Sequence, residues 1–315
     1  MTEILANALV PIFAGLLLGY LGGLRRWMDN QHVQTLITFV MSFAVPAALF
    51  LAIARTPFAV LRQYAAPSLV IAIVYLVVYV VSFYWVRMRE NLSPSDSSVV
   101  ALTLGFPNSA AVGLPLLASA FGPQATVTVA ISLAIGSVTI APITLAILEA
   151  SRRGDGGSFA LSNVTLALIH SIKQPIVWSP LLGVVFSCAG VPLPSFIHRS
   201  LGVMGSAADG SALVLTGLVV SAQKFEIGGT TLAAVFLKNV LQPSLALGIA
   251  LLIHLPVEPM RYIILISAMP CGFFGVVFGQ GFDSSPKLAS SGLIASYVIG
   301  IGTLAAWIVI VNHLS

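Results

Sequence analysis

Along the chain, near-continuous apolar stretches of about 20 residues alternate with short clusters of polar residues, proline and glycine. A hydrocarbon core about 30 Å thick takes about 20 residues of apolar helix, so each stretch is long enough to cross once. Cutting at the clusters predicts ten helical spans: 4–24, 33–54, 66–87, 97–121, 125–149, 166–188, 203–223, 231–253, 260–282 and 288–312. The runs lack the two-residue alternation of a membrane β-strand, which argues against an outer-membrane barrel and predicts an all-α membrane protein. The first span follows Met1 without a basic leader or a small-residue cleavage pattern, so it is predicted to remain as a helix.

The longest polar interruption, Ser151 to Ser162, divides the chain into residues 1–150 and 163–315, with five spans in each. Weak matches recur between these halves in the same order. Pro11-Ile12 before Leu17-Leu18-Gly19 returns as Pro175-Ile176 before Leu181-Leu182-Gly183; Pro67-Ser68-Leu69 returns as Pro243-Ser244-Leu245; and Phe106-Pro107-Asn108 aligns with Met269-Pro270-Cys271. Two five-helix repeats follow. An odd number of crossings makes the second repeat enter from the opposite face, so the repeats are expected to be inverted.

Composition agrees with a single membrane domain. Of 315 residues, 58% are hydrophobic and 8% charged, with a mean hydropathy of +1.02, whereas a soluble domain carries roughly 25% charge. The net charge of +4 is scattered, so it serves as a topology signal and does not suggest nucleic acid. Arg25, Arg26, Arg87, Arg89, Arg152, Arg153, Lys224 and Lys287 fall in one alternate set of loops, while the other holds Arg55, Arg62, Arg199 and Arg261. That imbalance predicts both termini outside the cytoplasmic (inner) membrane. Cys188 and Cys271 lie in apolar stretches, which supports neither a disulfide nor a thiolate metal site.

Candidate chemistry lies where helices cannot be continuous. Two prolines and two glycines in Leu104-Gly105-Phe106-Pro107-Asn108-Ser109-Ala110-Ala111-Val112-Gly113-Leu114-Pro115 should interrupt span four at mid-membrane. Span nine repeats the situation at Met269-Pro270-Cys271-Gly272-Phe273-Phe274-Gly275. Each alone is compatible with an ordinary proline kink; the coincident pair points to a midplane binding site of a secondary transporter. If the half-helices meet, their N-termini offer unpaired N–H groups and partial positive charge, which favours an anion. Asn108 adds an amide able to donate to a carboxylate.

Lys238, deep in span eight, costs roughly 2.5–3.5 kcal/mol on insertion scales and should face a cavity or a partner. A substrate carboxylate and Asp209 are the two candidates, and Asn239 and Gln242 extend the polar stretch. Asp209 could also titrate as an ion-coupling group. Lys173 is placed where it can snorkel to the headgroups, and Gly15, Gly19 and Gly23 form a small-residue packing face. No nucleotide-binding loop, nucleophile elbow or metal-ligand cluster is present, and the five histidines are scattered, so neither an enzyme, a metal nor a cofactor is expected. An intramembrane enzyme would need a catalytic constellation that the sequence lacks.

The Phe106-Pro107-Asn108 to Pro115 break, the Lys238-Asn239 to Gln242-Pro243 stretch and the Met269-Pro270 break leading to Ser296-Tyr297 resemble the auxin efflux carrier family of permeases, in particular its bacterial malonate-transporter-like branch. The resemblance covers essentially the whole chain. It implies an inverted repeat with spans four and nine crossing at their breaks in a transport core of spans 3–5 and 8–10. Spans 1, 2, 6 and 7 would form a scaffold, holding a homodimer, against which the core slides like an elevator. Pro107, Asn108, Pro270 and Lys238 match the family's crossover prolines, asparagine and basic residue, and the resemblance places Asp209 in the scaffold; with the residues read above, the substrate-binding positions are expected to be Pro107, Asn108, Ser109, Gly113, Lys238, Asn239, Pro270, Cys271, Gly272 and Gly275. Cys271 stands where plant auxin carriers have a second asparagine, which favours a small dicarboxylate over an indole acid. The expected partners are a small organic anion, a coupling proton or sodium ion and membrane lipid. Efflux of an auxin-like aromatic monocarboxylate, or a transport-like sensor or channel, is the alternative.

Overall fold

A computed structural model of the protein describes residues 2–152, 173–190, 192–224 and 226–314. Helices dominate, and among the described residues there is no strand, only one isolated bridge between Pro107 and Cys271. The helices are α1 (Thr2–Leu24), α2 (Gln34–Ala54), α3 (Ala65–Glu90), α4 (Pro94–Gly105), α5 (Ser109–Phe121), α6 (Pro123–Arg152), α7 (Pro175–Ala189), α8 (Ser195–Ser221), α9 (Gly229–Leu252), α10 (Val257–Ala268), α11 (Phe274–Gly281) and α12 (Lys287–Asn312).

Six of these, α2, α3, α6, α8, α9 and α12, are long and apolar enough to cross a membrane by length and composition. The sequence reading gave ten spans. Part of the difference has a physical cause: the expected fourth and ninth spans are each split into two short helices, α4 with α5 and α10 with α11. The polar interruption beyond Arg152 and the first part of the expected sixth span, with Arg153 and His170, lie outside the described residues.

Proline shapes three other helices without ending them. Wide π turns occur at Val40–Ala44, Ser109–Gly113 and Leu237–Leu241, and each is followed two residues later by a proline: Pro46, Pro115 and Pro243. A proline in a helix lacks an N–H and clashes with the carbonyl four residues back. Here those carbonyls belong to Ser42, Ala111 and Asn239, each inside a wide turn, so widening the turn relieves the clash while the helix continues.

The small-residue face of α1 packs on α8. A Cβ at Gly19 would meet the Val214 carbonyl oxygen, one at Gly23 would meet the Ser221 hydroxyl, and on α8 one at Gly217 would meet the Leu16 carbonyl oxygen. Packing at this distance rests on dispersion contacts between backbones rather than on water exclusion. Helix α8 begins at Ser195, eight residues before the expected start at 203, because Pro194 provides the N-cap and the following residues continue the helix. Asp209 therefore lies near the middle of α8 rather than in its second turn. Lys173 is exposed just before α7.

Candidate functional site

The two broken stretches meet. Helix α4 ends at Gly105 and α10 at Ala268; between these ends and the starts of α5 and α11, the extended segments around Pro107 and Cys271 pair as a single antiparallel bridge. The Asn108 N–H donates to the Pro270 carbonyl at 2.9 Å, and the Gly272 N–H donates to the Phe106 carbonyl at 2.8 Å. The Cys271 N–H donates to the Ser296 hydroxyl at 2.9 Å. Groups that proline and glycine release from the helical ladder thus satisfy each other, as buried backbone must. Gly272 and Gly275 permit the approach: a Cβ at Gly272 would strike the Phe106 carbonyl oxygen, and one at Gly275 would strike Thr103 and the Val99 carbonyl. Gly113 is closest to Met269, whose sulfur lies 3.1 Å from where its Cβ would sit.

Lys238 has partners within the protein. It is completely buried, and its ammonium donates to the Gln242 side-chain oxygen at 2.7 Å and to the Ser267 carbonyl at 2.9 Å. Gln242 in turn donates to the Gly105 carbonyl at 3.1 Å. Gly105 and Ser267 lie in the last turns of α4 and α10, where carbonyls have no partner inside the helix and the dipole is negative. Lys238 and Gln242 together therefore cap both half-helix C-termini. The side chain of Asp209 lies outside the described residues. Hydrogen bonds to a charged group contribute about 1.5–3 kcal/mol each, so two of them offset the insertion cost of this lysine.

The opposite ends carry Asn108. Its side-chain oxygen accepts from the Ala111 N–H at 3.3 Å and so caps α5, while its amide donates to the Tyr297 hydroxyl at 2.5 Å and to the Thr216 hydroxyl at 3.0 Å. Both amide hydrogens expected to serve a carboxylate are thus taken up by the protein. Ser109 shares a hydrogen bond with Ser132 at 2.7 Å, and Ser132 with the Tyr75 hydroxyl at 2.5 Å. Asn239 accepts from the Ser296 hydroxyl at 2.9 Å and donates to the Ser296 carbonyl and to Thr303. The Cys271 thiol lies 3.8 Å from the Gly292 carbonyl. Asn108, Ser109, Lys238, Asn239, Gln242 and Cys271 are each at most 1% exposed, so the crossing is closed to water.

Reasoning from the sequence named the residues of the breaks and the Ser296-Tyr297 pair, but it did not make that pair their partners and did not name Thr216, Ser132 or Ser267. The Ser267 hydroxyl is buried without a hydrogen-bond partner. A signal did exist for some: Ser296-Tyr297 and Thr216 are polar residues in the middle of long apolar helices, where a polar group must find a partner.

The sequence pattern described as membrane transport protein matches residues 4–308. The chain belongs to the family of the auxin efflux carriers and related transporters. Relatives within this transporter family include a protein named "Uncharacterized transporter YfdV" from Escherichia coli, 28% identical over 95% of each chain. An uncharacterized transporter of Methanothermobacter thermautotrophicus is 23% identical over 98% of each chain. Auxin efflux carrier component 8 of Arabidopsis thaliana is 22% identical over 96% of this chain and 95% of its own. As a member of the family, the protein is a multi-pass membrane transporter.

Proposed function

We propose that this transporter moves a small organic anion, malonate or a related carboxylate, across the cytoplasmic membrane by secondary, ion-coupled transport. The observation that carries this reading is the crossing at Pro107 and Cys271, with the buried Lys238–Gln242 pair on its two C-terminal ends and the asparagine amide of Asn108 on its N-terminal side. Two helices broken at corresponding places in the halves of a chain are where secondary transporters hold substrate. Lys238 makes the crossing a site of net positive charge, and a carboxylate would replace Tyr297 and Thr216 as acceptor of the Asn108 amide.

In this reading the chain crosses ten times, as two inverted five-helix repeats of residues 1–150 and 163–315, with both termini outside. Helices α1, α2, α7 and α8 form a scaffold that holds a homodimer. The remainder is the core that carries the anion past it, and Asp209 on the scaffold helix α8 is the ion-coupling candidate. A second reading, an aromatic monocarboxylate as cargo, draws on the likeness to plant auxin carriers and on the rings beside the crossing. Phe106 and Phe273 each stack on Phe274 with centroids 5.1 Å apart.

Uptake into proteoliposomes of labelled malonate, succinate, acetate and indole-3-acetate under imposed proton or sodium gradients tests the proposal. Saturable malonate uptake, accelerated by one gradient and competed by other dicarboxylates, is the expected result. Conductance without saturable uptake would make the protein a channel, and indole-3-acetate alone as cargo would favour the second reading.

A further inference from the structure

At one end of the molecule a cavity of about 540 Å³ separates α2 and α8 from the head of α6. Its walls include Arg55 and Thr56 after α2, Gln124 and Thr126 at the start of α6, and Gly202 and Gly205 on α8. A second cavity, of about 470 Å³, adjoins it, and Arg55 lines that one too, together with His198. Among the described residues the Arg55 guanidinium has no hydrogen-bond or ion-pair partner, and no carboxylate lines either cavity. A cation between two concave, low-dielectric walls raises the local concentration of anions.

The two ends of α8 differ. At its C-terminal end, Gln223 accepts from Ser290 at 2.9 Å, the Glu226 N–H donates to Ser291 at 2.9 Å, and Lys287 pairs with Glu226 at 2.8 Å, which ties this end to α12. At its N-terminal end, Gly202 has nothing within 4 Å of where a Cβ would stand. From Gly205 to Thr216, the hydroxyl that holds Asn108, is 11 residues, or about 16 Å along the helix. That is about half the hydrocarbon thickness. The cavity therefore lies about half the hydrocarbon thickness from Thr216 along α8, between the helices assigned to scaffold and core.

We infer that this cavity is an anion-recruiting vestibule, in which Arg55 collects a small hydrated carboxylate before it reaches the crossing at Asn108. This inference rests on the proposed anion transport. Its volume admits a small dicarboxylate together with several waters, each of which occupies about 30 Å³ in the liquid. The Thr56 and Thr126 hydroxyls donate to the Ala52 and Pro123 carbonyls, so the donors left for such an anion are the Arg55 guanidinium, the second amide hydrogen of Gln124 and water, and Gly202 keeps the space open.

The test reads the vestibule without transport. In a Cys188→Ser background, Gly202→Cys and, on the opposite wall, Thr126→Cys are placed in the cavity of the full-length protein. Each is reacted in detergent with methanethiosulfonate reagents carrying either a sulfonate or a trimethylammonium group. Relative to 2-mercaptoethanol, the sulfonate should be favoured at least about tenfold at either position. Adding Arg55→Ala should abolish the preference, and millimolar malonate should slow the sulfonate reaction. An unreactive thiol at both positions, or a preference that survives Arg55→Ala, overturns the vestibule. If the preference is present and depends on Arg55 while wild-type proteoliposomes take up no malonate, the vestibule stands and the malonate reading falls.

Discussion

Pro107 and Cys271 face each other across the only bridge of extended backbone among the described residues, and Gly272 lies directly against the Phe106 carbonyl. At the bridge itself the two half-helix pairs are joined main chain to main chain. Gly272→Ala should force the segments apart. Overpacking of this kind costs typically 1–3 kcal/mol, and because the displaced atoms are backbone carbonyls the effect should appear as lost transport as well as a lower melting temperature. A variant with wild-type uptake and melting temperature would mean that the crossing tolerates a looser contact than its geometry allows.

Lys238 bonds the end of α10 directly and, through Gln242, is linked to the end of α4. Lys238→Met keeps most of the volume but leaves the Ser267 carbonyl without its donor and removes one partner from Gln242. Unpaired buried groups cost about 1–3 kcal/mol each. Melting of purified protein should fall accordingly, and anion uptake should drop at least tenfold because the positive charge is lost. Lys238→Arg should restore part of the stability and little of the uptake, since a planar fork cannot occupy the same point. Uptake at the wild-type rate by Lys238→Met, at equal abundance, would remove the lysine from the site.

The sequence carried the broken helices plainly, because proline and glycine act locally: Pro107 and Pro270 disrupt a ladder wherever the chain around them folds. It did not carry the direction in which Lys238 points. The lysine's bond to the Ser267 carbonyl depends on α10 arriving beside α9 from 29 positions along the chain. The partners of Asn108 lie 108 and 189 positions away, beyond any local pattern. The wide turns were more accessible. A proline two residues after each of them marks the carbonyl that must move, and the turn at Leu237–Leu241 is the one that contains Lys238 and Asn239.

The α1–α8 contact should be as intolerant of bulk as the crossing. Gly19→Leu drives a side chain into the Val214 carbonyl, and Gly217→Leu drives one into Leu16. Each should destabilise the protein by about 3 kcal/mol and reduce the yield of folded protein in detergent. Gly210→Leu, on the same helix with nothing within 4 Å of its Cβ position, should be nearly neutral. Equal losses at all three positions would indicate a general intolerance of α8 instead of a specific seam.

Asn108 is held by α8 through Thr216 and by α12 through Tyr297. Thr216→Val and Tyr297→Phe each remove one acceptor, and hydrogen bonds of this type in membrane proteins average about 0.6 kcal/mol. Small losses in melting temperature are expected from either. If a carboxylate takes the place of these acceptors, both variants should lower the KM for the transported anion, because an internal competitor has been removed. An unchanged or raised KM in both would mean that the Asn108 amide keeps its protein partners throughout the cycle.

The two cysteines report on closure of the crossing directly. Cys188 is exposed in the last turn of α7, although it sits in an apolar stretch, whereas Cys271 is completely buried at the bridge itself. N-ethylmaleimide should modify Cys188 at the rate of a free thiol. Cys271 should react roughly a hundredfold more slowly, since an opening free energy of about 3 kcal/mol is enough to protect it by that factor. In Gly272→Ala, where the segments are pushed apart, Cys271 should become markedly more reactive while Cys188 is unaffected. Peptide mapping of the labelled protein separates the two sites. Rapid modification of Cys271 in the wild type would show that water and reagent reach Pro107 and Pro270 freely, and that the closed crossing is not the resting form.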